Sequence, residues 1–219
     1  MRKKFLFLMF VLMLAGSMAF AQESVSVAQS RNKQIHNLLD YRFRGGFYGF
    51  KALFLKTVKY TDIARKNCVI GIMVVSFQVD CDGNLHNIRI KNPLRFGLDA
   101  AISKFMEATK GHWNKCHNIK YTRFSVPFQF TMKGTQTDSL NAVISLLGKN
   151  PGYVCSGDDY YLRKAKEAMA KGRGKRAKTY IETLIRRNPF NTEYYDMMDK
   201  ALKDTRKNKK EKRKRKNKK

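Results

Sequence analysis

The stretch from Val69 to Ile90, VIGIMVVSFQVDCDGNLHNIRI, constrains the fold more than any other part of the chain. Met73, Val75, Phe77 and Val79 fall two apart, the period of a strand whose alternate side chains share one face, while Ser76 and Gln78 take the other. Asp80-Cys81-Asp82-Gly83-Asn84 supplies turn chemistry, because Asp and Asn tolerate left-handed backbone and Gly adopts it freely. Ile88 and Ile90 then alternate against Asn87, Arg89 and Lys91. The pattern is a β-hairpin with one apolar face, and that face demands a cover.

Segments on either side of the hairpin provide it. Upstream, Phe47, Phe50, Phe54 and Val58 make a helical stripe; downstream, Leu98, Ala101, Ile102 and Phe105 recur at i, i+3, i+4 and i+7 and stop at Gly111. Phe124, Val126, Phe128 and Phe130 alternate with Arg123, Ser125 and Gln129, which predicts a third strand. Pro127 cannot donate a ladder hydrogen bond and so places that strand at an edge. The expected class is α+β: a three-stranded antiparallel sheet with packed helices. Trp113, the only tryptophan, reads as a plug at the end of that core.

This order of elements resembles the C-terminal domain of TonB, the energy transducer of bacterial outer-membrane transport. The residues that carry the resemblance are Tyr60-Thr61-Asp62-Ile63-Ala64-Arg65-Lys66-Asn67, Gly71, the Val-Ser-Phe-Gln-Val-Asp run at 75–80, Asp82-Gly83, Leu98-Asp99, Gly111, Trp113 and Val126-Pro127-Phe128. It covers residues 46–131. Thr61 stands where the family usually has proline, and threonine can still cap the short helix that follows.

The resemblance implies a strand order of two, one, three. The hairpin turn with Cys81 and the loop with Cys116 then share one end of the sheet. Cys68 lies at the other end, which the chain reaches again on its way to Cys155. In an exported chain with four cysteines the implied disulfides are Cys81–Cys116 and Cys68–Cys155. A zinc site drawn from Cys81, His86, His112, Cys116 and His117 is the alternative at the first end, although its spacing fits no standard template. The expectation is no metal and no other cofactor. The resemblance also implies that an outer-membrane transporter, or another envelope protein, is bound by strand addition at the third strand. That role falls on Tyr121, Arg123, Ser125 and Gln129. The alternative is an edge merely covered by the N-terminal segment or by a second copy.

Outside this unit, residues 1–21 read as a secretory signal: three basic residues, an apolar core, then Ala19-Phe20-Ala21 before Gln22. The apolar run is also near the lower limit of roughly 17–25 residues for a bilayer span, so an uncleaved anchor is the other reading. Residues 22–45 read as a polar linker without proline, reaching about 80 Å when stretched, in which Ile35, Leu38 and Leu39 allow a short helix. A TonB transducer has a long Pro-rich spacer there, so a non-energised periplasmic scaffold is the second functional reading.

Residues 137–204 read as helical. Leu140, Val143, Ile144 and Leu147 form one stripe, followed by Tyr160–Lys171, Lys175–Arg187 and Thr192–Asp204, with small residues near tetratricopeptide positions. Residues 205–219 read as a disordered basic tail, where eleven Lys or Arg from Arg206 onward face the single Glu211 in a chain of net charge +28. In an exported protein no nucleic acid is expected. An anionic membrane or an acidic cell-wall polymer is the partner class, unless the tail serves solubility alone. No arrangement of nucleophile, base or paired carboxylates suggests an enzyme.

Overall fold

The computed structural model describes residues 27–137 and 141–216; the signal-peptide reading of 1–21 lies outside them. The fold is α+β. Its elements are α1 (27–42), α2 (Gly46–Thr57), α3 (Asp62–Lys66), β1 (Gly71–Val79), β2 (Leu85–Lys91), α4 (Leu98–Ala108), β3 (Arg123–Met132), β4 (Ile144–Gly148), α5 (Asp158–Ala170), α6 (Gly174–Arg187) and α7 (Thr192–Lys216).

The hairpin forms as its alternation requires, with Val75 opposite Ile90 and Val79 opposite Leu85. Asp80 builds the turn. Its Oδ1 accepts the backbone N–H of Asp82 (3.0 Å) and of Asn84 (2.8 Å), and its Oδ2 accepts the Asn84 side-chain amide (2.9 Å). The core face carries Met73, Val75, Phe77 and Val79 of β1 and Phe124, Val126, Phe128 and Phe130 of β3, all buried. Phe47, Phe50 and Phe54 of α2 and Leu98, Ile102, Phe105 and Met106 of α4 close over it. Phe54 stacks on Phe128 at 5.0 Å, and Trp113 plugs the far end against Phe43, Phe77 and Phe124. Thr61 caps α3, accepting the Ala64 N–H at 3.2 Å.

Four expectations are corrected. The sheet has four strands, ordered β2-β1-β3-β4, and is mixed rather than antiparallel, because β4 runs parallel to β3 with Phe128 opposite Ile144 and Met132 opposite Gly148. Of the stripe read as helical, Ile144 and Leu147 therefore lie in a strand with Val143 just before it, while Leu140 lies outside the described residues. An apolar run this short fits either period, and the β-branched pair Val143-Ile144 before a Gly148 stop favours the extended form. Ile144 is buried whereas Leu147 is exposed, which the helical stripe does not allow.

Residues 27–42, within the expected linker, form a helix whose Ala28, Ile35 and Leu39 are buried in line with Phe43. Finally, α7 continues to Lys216 instead of giving way to disorder at 205. Its Lys- and Arg-rich sequence contains no Gly or Pro to stop it.

Both disulfides are present in the expected pairs, Cys81–Cys116 and Cys68–Cys155, at opposite ends of the sheet. The helices α5–α7 pack on one another through Ala165, Ala168, Ala177, Ile181 and Ala201. They lean on the sheet's second face: Asn92 Nδ2 donates to both Ile72 O (2.6 Å) and Arg186 O (2.9 Å), and a side chain at Gly71 would collide with Arg186 O. Arg187 is almost wholly buried. It pairs with Asp158 (2.7 Å), donates to Ser156 O (2.8 Å) and lies over the Tyr161 ring.

Candidate functional site

The phase of β3 decides which of its backbone groups could meet a partner. Val79 N–H donates to Thr122 O at 2.8 Å, and Gln78 lies opposite Arg123. Antiparallel alternation then turns the backbone groups of Phe124, Val126, Phe128 and Phe130 toward β1. Those of Arg123, Ser125, Pro127, Gln129 and Thr131 turn outward. Pro127 thus lacks a donor on the outward side only, and its carbonyl accepts Val143 N–H at 3.0 Å. The proline locates a gap in the outer ladder without making the strand an edge, since β4 pairs from Phe128 onward.

The four residues expected along an open edge separate accordingly. Gln129 is buried and lies opposite Ser145 of β4, whose hydroxyl donates to its Oε1 at 3.1 Å. Tyr121 precedes the strand in a 3-10 turn, its carbonyl accepting Arg42 Nη1 at 2.7 Å and its ring against Tyr41. Arg123 and Ser125 are exposed and stand beyond the reach of β4. They line a groove of about 260 Å³ with Arg31, Gln34, Ile35 and Leu38 of α1 and with Phe190.

The α1 contribution is spaced i, i+3, i+4, i+7, a signal present in the sequence but hidden by its mixed polarity. Phe190, in the loop before α7, carried no signal. Arg31 frames the groove. Its guanidinium lies 3.8 Å above the Phe190 ring, its Nη2 donates to Asn141 O (2.8 Å), and burial lowers its pKa. Its Nε is buried with no acceptor among the described residues.

The other edges are less inviting. The outer edge of β2 is kinked where Asn87 takes φ 52° at a register shift, and it carries Arg89 and Lys91, both means of blunting an edge. The outer edge of β4 is five residues long.

The zinc alternative lacks its ligands. Cys81 and Cys116 are bonded to each other, and His86 Nε2 lies 3.1 Å from Asp80 Oδ2. Among the described residues no group of three or more His, Cys, Asp or Glu is placed to hold a metal ion, and no helix is long and apolar enough to cross a membrane. No family model, curated protein or solved structure matches this chain.

Proposed function

We propose that this protein is a binding module of the cell envelope, not an enzyme, and that it captures a short extended segment of an envelope partner in the groove beside Arg123–Val126. The observation that carries the reading is that β4 stops short of Pro127. It leaves the outward N–H and C=O groups of Arg123 and Ser125 at the floor of a groove walled by α1 and Phe190. An extended segment laid there gains backbone hydrogen bonds, as in strand addition. Arg31 and Arg123 favour one with acidic side chains, and the orphan Nε–H of Arg31 supplies a further donor. Two disulfides suit an oxidising compartment, in keeping with the secretory character of residues 1–21.

The resemblance to TonB C-terminal domains makes an outer-membrane transporter the first partner class to test. Between an energised transducer and a scaffold that transmits no force, the packing of α1 supports the scaffold. Residues that would serve as a free spacer instead bury Ile35 and Leu39 in the core.

The test is site-specific photocrosslinking from position 123 in envelope fractions, with and without Ser125→Pro. Proline at 125 removes one outward donor and leaves the bonds to β1 in place, so the domain should keep its near-UV circular dichroism while the adduct disappears. An adduct of undiminished yield in a folded Ser125→Pro protein would sink the reading.

A further inference from the structure

We propose that the turn between α5 and α6, beside α7 where its basic run begins, forms a docking surface for a bilayer of anionic phospholipid. The inference is independent of peptide capture at β3. The turn encloses a shallow pocket of about 170 Å³ lined by Lys164, Glu167, Lys171, Arg173, Arg176 and Tyr180. Glu167 is its one carboxylate, and it is already engaged by Arg163 (3.1 Å) and Lys164 (3.3 Å). Among the described residues no carboxylate lies within ion-pairing distance of Lys171, Arg173 or Arg176. Like charges held this close without counter-ions favour an external anion, and the pocket is of a size for a phosphate group.

This cluster does not stand alone. Gly174, at the start of α6, approaches α7 so closely that any side chain would collide with Ala201 O and Thr205 Oγ1. The turn therefore abuts α7 one residue before its basic run begins at Arg206. Lys171–Lys178 holds five cations and no acid; Arg206–Lys219 holds eleven cations and one acid. The turn's cations thus lie where α7 enters that run at Arg206.

Its chemistry separates a bilayer from other polyanions. Residues 203–219 carry no apolar side chain, so attachment through this run is electrostatic, without insertion. The half-exposed Tyr160 lies beside the cluster under Arg163 and Lys164, an amphipathic ring of the kind enriched at headgroup level. The cationic pocket accommodates single headgroups and has no row of aromatic platforms for stacked bases.

The test is flotation of the full chain with vesicles of phosphatidylcholine, with and without phosphatidylglycerol, across a salt series. Three forms are compared: wild type; K171Q/R173Q/R176Q; and K51Q/K56Q/K59Q, which loses the same charge from the α2 region. The expected result is salt-sensitive binding to the phosphatidylglycerol vesicles only. Loss of the turn cations should weaken it by about tenfold or more, and loss of the α2-region lysines by much less. Absence of phosphatidylglycerol-dependent binding would overturn the proposal. So would equal weakening by the two triple variants, which would assign the effect to net charge. Release from vesicles by an equal charge concentration of duplex DNA would reassign the surface to nucleic acid.

Discussion

Arg42 is wholly buried, yet among the described residues no carboxylate pairs with it. Its guanidinium instead donates to four main-chain carbonyls, those of Asn114, Val79, Tyr121 and Asp80, and reaches Cys116 Sγ. It fastens the end of α1 to the end of the sheet where the Cys81–Cys116 disulfide lies. Burial lowers its pKa, against the opposing pull of Asp80 among others. Arg42→Met leaves buried acceptors without a donor and should cost about 3 kcal/mol in urea unfolding. Arg42→Lys should recover less than half of that, since a compact ammonium cannot span the same carbonyls.

Asp80 offers a pH test. Hydrogen bonds from the Asn84 side chain and backbone, with help from His86 and Asp82, hold its carboxyl far below the ordinary carboxylate range. A depressed pKa contributes stability above the unfolded value of about 3.9 and loses it as pH falls toward the folded one. Asp80→Asn should therefore unfold at lower urea than wild type at pH 7, and the gap should narrow steadily below about pH 4. A gap that stays constant from pH 7 to pH 2 would remove the turn carboxylate from the account. The turn was legible in Asp-x-Asp-Gly-Asn. Arg42 was not, because an arginine in a polar stretch gives no sign that it will be enclosed.

The elements divide along the same line. β1, the β2 hairpin, α2, α4 and β3 were legible because each repeats its period over enough residues to exclude the other period. β4 is only five residues long, and its Ile144 and Leu147 with the preceding Val143 fit a helical stripe as well as a strand. Its identity comes from tertiary context: Asn32 donates to Ala142 O before it, and the Tyr60 ring covers Gly148 at its last residue. A Cβ at 148 would lie 2.7 Å from Tyr60 Cδ2, so Gly148→Ala must push that ring aside. The expected cost is about 1–3 kcal/mol. It should appear as faster amide exchange in β4 and at Gln129 and Thr131 of β3, while the β1–β2 hairpin stays protected. α1 was only partly legible: Ile35, Leu38 and Leu39 allowed a short helix within a stretch read as a linker, and the helix runs over 27–42. Its buried face uses few apolar residues among many polar ones, so its composition resembles a linker although its spacing resembles a helix. The groove was half legible: Arg123 and Ser125 followed from strand alternation, whereas the α1 wall and Phe190 depend on where distant segments dock.

At the scale of the whole molecule, the sheet is covered on both faces and tied to its surroundings at both ends. The core face is sealed by α1, α2 and α4, the second face in part by the end of α6. The disulfide pairing was legible because the strand order that the resemblance implies decides which cysteines share an end of the sheet. In the chain-entropy description a loop of 87 residues is worth about 4–5 kcal/mol when closed.

The two bonds also make closed circuits, one inside the other. Cys81 and Cys116 both fall between Cys68 and Cys155, so the smaller ring is threaded into the backbone of the larger. A protease that cuts once at exposed Lys133 opens the larger ring and frees nothing, because both sides of the cut remain joined through Cys68–Cys155. Such a nicked molecule should migrate as one species in a denaturing gel and separate into two only after reduction. In an oxidising, protease-rich compartment, a single scission there would leave the chain in one piece.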